Sequence, residues 1–291
     1  MVREILENTV DGILSGGVYA LMAVGLTLIF GVLDIINVAQ GILVITGAYL
    51  SYALSVHLHI GLFLGLLITI PAMFLLGMAI HLAFIRPLGG PERTSMSLLA
   101  CFAVAIIIEG ALYWIFGPNF VVLKASNASI RISGFYLTDI YLYAFALAVA
   151  LVAAIYLLLY RTKFGRSVRA TMQDQTAARL IGINVNRVAT LTFGIGVAVT
   201  AAGGMAYGAT SGGFNPNSGY DLISRLLAIV ILGGLGSIGG ALAAAVLMIT
   251  IESVVDIWYP NWAIVVFYAA LVLVLTFRPA GLFGRAAVRA Q

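Results

Sequence analysis

Charge is what this chain has least of. Asp, Glu, Lys and Arg make up 9% of its 291 residues, against 62% hydrophobic residues, where soluble domains carry about 25% charged and roughly 45–50% apolar residues. The mean hydropathy of +1.10 agrees with that imbalance. Segments 35–85, 188–220, 226–251 and 257–277 contain no Asp, Glu, Lys or Arg at all. A helix that spans a bilayer needs about 20 consecutive, mostly apolar residues. The scarcity of charge therefore excludes a soluble domain and predicts an all-α, polytopic transmembrane bundle. Cysteine is nearly absent as well. Cys101 stands alone in an apolar stretch, which excludes a disulfide framework and leaves a packing role. His57, His59 and His81 have no partner at metal-ligand spacing, so neither a metal nor a cofactor is expected. The sequence also lacks a Gly-x-x-x-x-Gly-Lys-Ser/Thr phosphate loop, a His-Glu-x-x-His pair and a Gly-x-Ser-x-Gly elbow. The expectation is a protein that is not an enzyme, has no catalytic residue and does not hydrolyse ATP itself. The N-terminus, with Arg3, Glu4, Glu7 and Asp11, lacks the basic region and small-residue cleavage site of a removable leader.

Apolar spans fall near 9–33, 35–56, 60–85, 95–117, 139–160, 188–212, 222–238, 239–256 and 261–277. They imply about 8–10 membrane segments, some broken or re-entrant, within a single domain covering 1–291. The basic residues gather in three places: Arg86 and Arg93, the stretch 161–187, and a tail with Arg278, Arg285 and Arg289. Lys and Arg concentrate in the cytoplasmic loops of membrane proteins, so all three places, and the C-terminus with them, are predicted to be cytoplasmic. With a net charge of only +4, orientation in the bilayer accounts for these residues and nucleic-acid binding is not expected. The span 188–212 then runs outward and 261–277 inward, so an even number of crossings lies between them. Residues 222–256 supply two short segments joined at the glycine-rich break Gly233-Gly234-Leu235-Gly236-Ser237-Ile238-Gly239-Gly240. Glycines four apart, including Gly12/Gly16 and Gly204/Gly208, allow close helix approach in lipid.

Polar groups inside spans are costly, about 2.5–3.5 kcal/mol for an acid at a helix centre, and should face protein or water. Glu109 lies near the middle of its span, where a role in a solute path or gate and a buried structural hydrogen bond are both open. Glu252 lies nearer an end, where an interfacial carboxylate can reach water. Asn37, Gln40, Thr46 and Tyr49, with Gly41, form a polar break that either lines a path or caps an interrupted helix. Gly233, Gly236 and Ser237 are further path or gate candidates in the glycine-rich break.

The stretch 161–187, RTKFGRSVRATMQDQTAARLIGINVNR, carries Arg161, Lys163, Arg166, Arg169, Arg179 and Arg187 against the single acid Asp174. Phe164, Val168 and Met172 share one helical face at four-residue steps. The pattern predicts a short amphipathic helix, a turn at Gln173-Asp174-Gln175 and a second short helix stopped at Gly182. Its mixture of small, apolar and basic residues suits a protein groove; a loop resting on lipid headgroups is the plainer alternative.

With Ile36-Asn37-Val38-Ala39-Gln40-Gly41, Leu232 to Gly240, and Arg278-Pro279-Ala280-Gly281-Leu282-Phe283-Gly284, residues 162–185 resemble the LivH-type permeases of branched-chain amino-acid ABC importers. The resemblance runs over nearly the whole chain. It implies a bacterial inner-membrane importer in which this permease pairs with a LivM-type second permease, two ABC ATPase subunits and a periplasmic substrate-binding protein. It also implies that Gly165, Arg166, Arg169, Ala170, Asp174, Ala177, Ala178, Leu180 and Gly182 form coupling helices that dock on an ATPase. One departure is Ile42, where members often carry an acid. Urea and short amides are alternative cargoes, and a stand-alone, gradient-driven carrier or channel is the alternative from another class.

Overall fold

The computed structural model describes residues 2–90, 92–123, 129–132 and 135–284; for 2–4, 129–132 and 135–138 it describes the backbone alone. Arg285 and Arg289 of the basic tail lie outside the described residues. The helices are α1 (Val2–Leu33), α2 (Gln40–His57), α3 (Leu62–Ile80), α4 (Arg93–Phe116), α5 (Asp139–Arg161), α6 (Lys163–Gln173), α7 (Gln175–Leu180), α8 (Val185–Thr210), α9 (Ser218–Gly233), α10 (Ile238–Asp256) and α11 (Pro260–Phe277). A π-helical turn, His81–Ile85, continues α3.

Among the described residues seven helices are long and apolar enough to cross a membrane: α1 from Ile5, α3 with its π turn, α4, α5, α8, α10 and α11. The expected spans at 35–56 and 222–238 correspond instead to α2 and α9. The latter has 16 residues and carries Asp221 and Arg225, which makes it about 24 Å long. The bundle also has an element the hydropathy pattern did not indicate. Strands β1 (Ser129–Ile132) and β2 (Phe135–Thr138) pair antiparallel with Ser129 opposite Thr138, adding a small hairpin between α4 and α5.

Burial sorts the helices. In α1 and α8, 83% of the span is enclosed, against 11% in α11, so α1 and α8 form the centre and α11 lies at the periphery. Glycine makes the central contacts close. A Cβ at Gly12 would lie 2.8 Å from Thr250 Cα, and one at Gly16 2.8 Å from Val246 Cα, so only glycine lets α1 and α10 approach to this distance.

One end of the bundle can be followed from contact to contact. Gln175 Nε2 donates to Val32 O at 2.8 Å, tying the 161–187 segment to the end of α1. A cleft there brings together Arg93 at the start of α4, Tyr160 at the end of α5, Ser237 at the start of α10 and Phe283 of the tail. Three basic regions thus meet at one end, which is hereafter the basic end. Helix α1 begins at the opposite end, and α11 returns to the basic end. The glycine-rich break is a tight turn closing the antiparallel α9–α10 hairpin, with Gly234 and Gly236 at φ +97° and +81°. Leu282 N donates to Leu232 O at 2.7 Å and Phe283 N to Gly233 O at 3.2 Å, so the tail folds back onto that turn.

Candidate coupling face and intramembrane site

The 161–187 segment folds as its pattern predicts. Thr162 caps α6, its hydroxyl accepting from Gly165 N at 2.9 Å. Asp174 ends α6 and caps α7, its Oδ1 accepting from Thr176 N at 2.7 Å and Ala177 N at 3.0 Å. Gly182, at φ +84°, turns the chain out of α7. Val168 and Thr171 are buried under α6. Gly165 is pressed against the carbonyls of Leu158 and Leu159 at the end of α5, where a side chain has no room. The Arg169 guanidinium lies 4.6 Å from the Tyr160 ring centroid, a cation–π contact. Of the predicted coupling residues, Gly165 and Ala178 are thus enclosed, Arg169 and Ala170 are half-buried, and Arg166, Asp174, Ala177, Leu180 and Gly182 are exposed. Leu180 is 84% exposed and Ile181 74%. Two large aliphatic side chains projecting from a basic segment form an apolar knob that nothing among the described residues covers. The cleft behind the knob, about 850 Å³, is lined by Arg169, Asp174, Gly236 and Ser237. Coupling candidates and glycine-turn candidates therefore share one wall of the basic end.

The polar break after α1 is enclosed within the bundle. Asn37 Nδ2 donates to Gln40 Oε1 at 2.8 Å, and Gln40 Nε2 donates to the Thr200 hydroxyl of α8. All three side chains are fully buried. Gln40 also lies against Gly25 of α1, so α2 begins inside the bundle rather than at its edge. The hydrogen-bonded side chains tie this interrupted backbone to α8, as irregular backbone at membrane depth requires. Gly41 lies against the Gly219 carbonyl at the start of α9. Thr46 Oγ1 donates to Ile42 O at 2.7 Å within its own helix. Tyr49 is buried against Phe116 and Phe214, at ring distances of 4.5 and 5.0 Å. Glu109 lies on an outer face of α4, where Tyr220 Oη donates to its Oε2 at 2.6 Å. Ile42 and Gly219 line the same small recess.

Glu252 has a partner that the sequence did not show. It accepts from Arg225 Nη1 at 2.7 Å across the α9–α10 hairpin, and the two side chains, Glu252 and Arg225, are 14% and 23% exposed. The pattern concealed this because α9 and α10 each carry one half of the pair, separated by 27 residues. The signal available in the sequence was Arg225 itself, a lone cation between two charge-free runs that needs a partner. The pair borders a cavity of about 600 Å³ that also receives Tyr19, Asp221, Tyr207 and Asp256. This cavity occupies the half of the bundle remote from the basic end.

A helical bundle of this kind, with an enclosed broken helix, an intramembrane ion pair and a capped amphipathic pair at one end, defines a multi-pass membrane protein built to pass or gate a solute. The family model described as "Branched-chain amino acid transport system / permease component" matches residues 8–275, and the chain belongs to that family. The high-affinity branched-chain amino acid transport system permease protein BraD of Pseudomonas aeruginosa is 29% identical, over 98% of this chain and 97% of its own. LivH of Escherichia coli K12 is also 29% identical, over 96% of each chain. A LivM permease protein of Salmonella typhimurium is 30% identical over 43% of this chain and 29% of its own. Among solved structures, PsaBC from Streptococcus pneumoniae in complex with Fab aligns with a TM-score of 0.49 and 14% identity, over 91% of this chain and 90% of that one.

Proposed function

We propose that this chain is one permease subunit of an ATP-driven importer for branched-chain amino acids in a bacterial inner membrane, with its basic end and C-terminus in the cytoplasm. Its partners are a LivM-type second permease, two ATPase subunits that dock on the basic end, and a periplasmic substrate-binding protein that delivers solute to the opposite end. The observation that carries this reading is the α6–α7 pair, with Leu180 and Ile181 projecting beside Arg179. An isolated lipid-facing loop would have no use for two capped short helices held rigidly against α1 and α5. A groove on an ATPase would use them as an anchor.

ATP binding on the partner moves the docked segment, and the α6–α7 pair is coupled to the bundle at three points. Gly165 packs on the end of α5, Met172 lies against Gly31, and Gln175 is bonded to Val32 of α1. Because α1 is the central helix, a displacement of the segment reaches the helices around it. Asn37 and Gln40 tie the start of α2 to Thr200 of α8 and transmit that movement, Tyr49 carries it to Phe116 of α4 and to Phe214, and Glu109 is a path or gate candidate on α4. The test is reconstitution with the partner subunits in proteoliposomes. Uptake of leucine that requires ATP inside the cytoplasmic-equivalent compartment and binding protein on the other side supports the reading. Uptake by this chain alone under an imposed proton or sodium gradient overturns it.

A further inference from the structure

The cavity beside Arg225 and Glu252 is not explained by docking or by packing. We infer that it is a binding site, within this permease, for a zwitterionic α-amino acid with an aliphatic side chain. This deepens the transport reading and rests on it: the permease itself would select for both charges of its cargo, in addition to any selection by a delivering protein.

The argument begins with cost. Ionised side chains inside a membrane bundle are expensive, and a buried ion pair often contributes no more stability than apolar residues of the same volume. A pair serving only to staple α9 to α10 has no need of open space next to it. Here Arg225 and Glu252 remain partly accessible, and they face a cavity of about 600 Å³, within the about 300–1,000 Å³ usual for small-molecule sites. The pair sits eight residues from Gly233 along α9, about 12 Å from the glycine turn, so a ligand would be held well inside the bundle.

The chemistry of the lining points to one ligand class. An α-amino acid carries its carboxylate and ammonium on a single carbon, so it can take Arg225 with one and Glu252 with the other. One ion pair is then replaced by two, and the charge of the site does not change. Asp221 and Asp256 are exposed and line the same cavity, where they draw the ammonium end inward. Val18, Leu222, Ile249 and Ile264 supply an apolar wall for the side chain. A lone anion would meet three carboxylates against one guanidinium, and a lone cation would use the carboxylates but leave the guanidinium unused.

Binding of radiolabelled L-leucine to the assembled permease–ATPase complex in nanodiscs, with no binding protein present, tests the site. The expected result is saturable binding displaced by L-valine, with leucinamide and 4-methylpentanoate weaker competitors by about tenfold or more, the factor equivalent to about 1.4 kcal/mol. The Arg225→Met/Glu252→Met double variant should assemble into the complex and bind leucine at least about tenfold more weakly. Absence of saturable binding, equal competition by leucinamide or 4-methylpentanoate, or wild-type affinity in the double variant overturns the inference. If the double variant fails to assemble, the competition series on the unmodified complex decides alone. ATP-driven, binding-protein-dependent uptake measured on the same preparation separates the two readings. Uptake without intramembrane binding removes the site and keeps the importer, whereas no amino-acid uptake by the full complex removes the importer.

Discussion

Asn37, Gln40 and Thr200 form a hydrogen-bonded chain from the α1–α2 break to α8, and all three are fully buried. Removing the middle member strands polar groups on both sides, at about 1–3 kcal/mol for each group left without a partner. Gln40→Leu should therefore lower the unfolding temperature of the detergent-solubilised protein, whereas Thr46→Ala, which loses only a bond within its own helix turn, should leave it nearly unchanged. Equal melting of the two variants would show that the chain does not hold the break together. Glu109 makes a different kind of contact, its carboxylate meeting Tyr220 on an outer face. Glu109→Gln keeps a hydrogen-bond acceptor, so it should retain assembly while altering uptake; wild-type uptake would leave Glu109 a structural residue. Polarity at both positions was legible in the sequence. What each polar group meets was not, because Thr200 lies 160 residues from Gln40 and Tyr220 lies 111 from Glu109.

At the scale of elements, α6 and α7 were legible down to their boundary, because caps and amphipathic spacing are local properties of the chain. The division of labour within them was not, since it depends on which residues the bundle covers. Gly165 and Leu180 now make opposite predictions. Gly165→Val forces a side chain against the α5 carbonyls, a clash costing on the order of 1–3 kcal/mol. Leu180→Asp changes an exposed position, where effects on folding are usually within about 0.5 kcal/mol. Thermal unfolding should thus separate the two variants, while both should lose ATP-driven uptake and Leu180→Asp should lose co-purification of the ATPase. Retained co-purification in Leu180→Asp would remove the knob from the docking surface. Hydropathy was a poorer guide for α9, whose shortness and two charges place it below the spans around it even though it lies among them. In the β1–β2 hairpin β1, Ser129-Ile130-Arg131-Ile132, does alternate polar and apolar residues, but over four positions, too short a run to read as a strand.

For the molecule as a whole, the sequence-based orientation argument gains support from geometry, since Arg93, the 161–187 segment and the tail converge on one cleft. The centre of the bundle was less predictable. The hydropathy of α1 does not separate it from α11, although α8 is the least apolar of the seven spans, and the glycines that mark α1 as central become informative only once α10 is seen against Gly12 and Gly16. Replacing Gly12 by Leu should separate these two helices at a cost on the order of 1–3 kcal/mol, read as a lower unfolding temperature. The same change at Gly61, against which nothing packs within 4 Å, should be tolerated.

The tail has a consequence for how the molecule is made. The carbonyls of Leu232 and Gly233 are closed by the amides of Leu282 and Phe283, which follow α11 in the chain. Phe283 also lines the cleft beside the α6–α7 pair. The wall of that cleft is therefore finished only after α11 has been synthesised, and a chain cut short before Leu282 would lack part of it. In the proposed importer the tail thereby signals that α11 has been made, as well as being a piece of the fold.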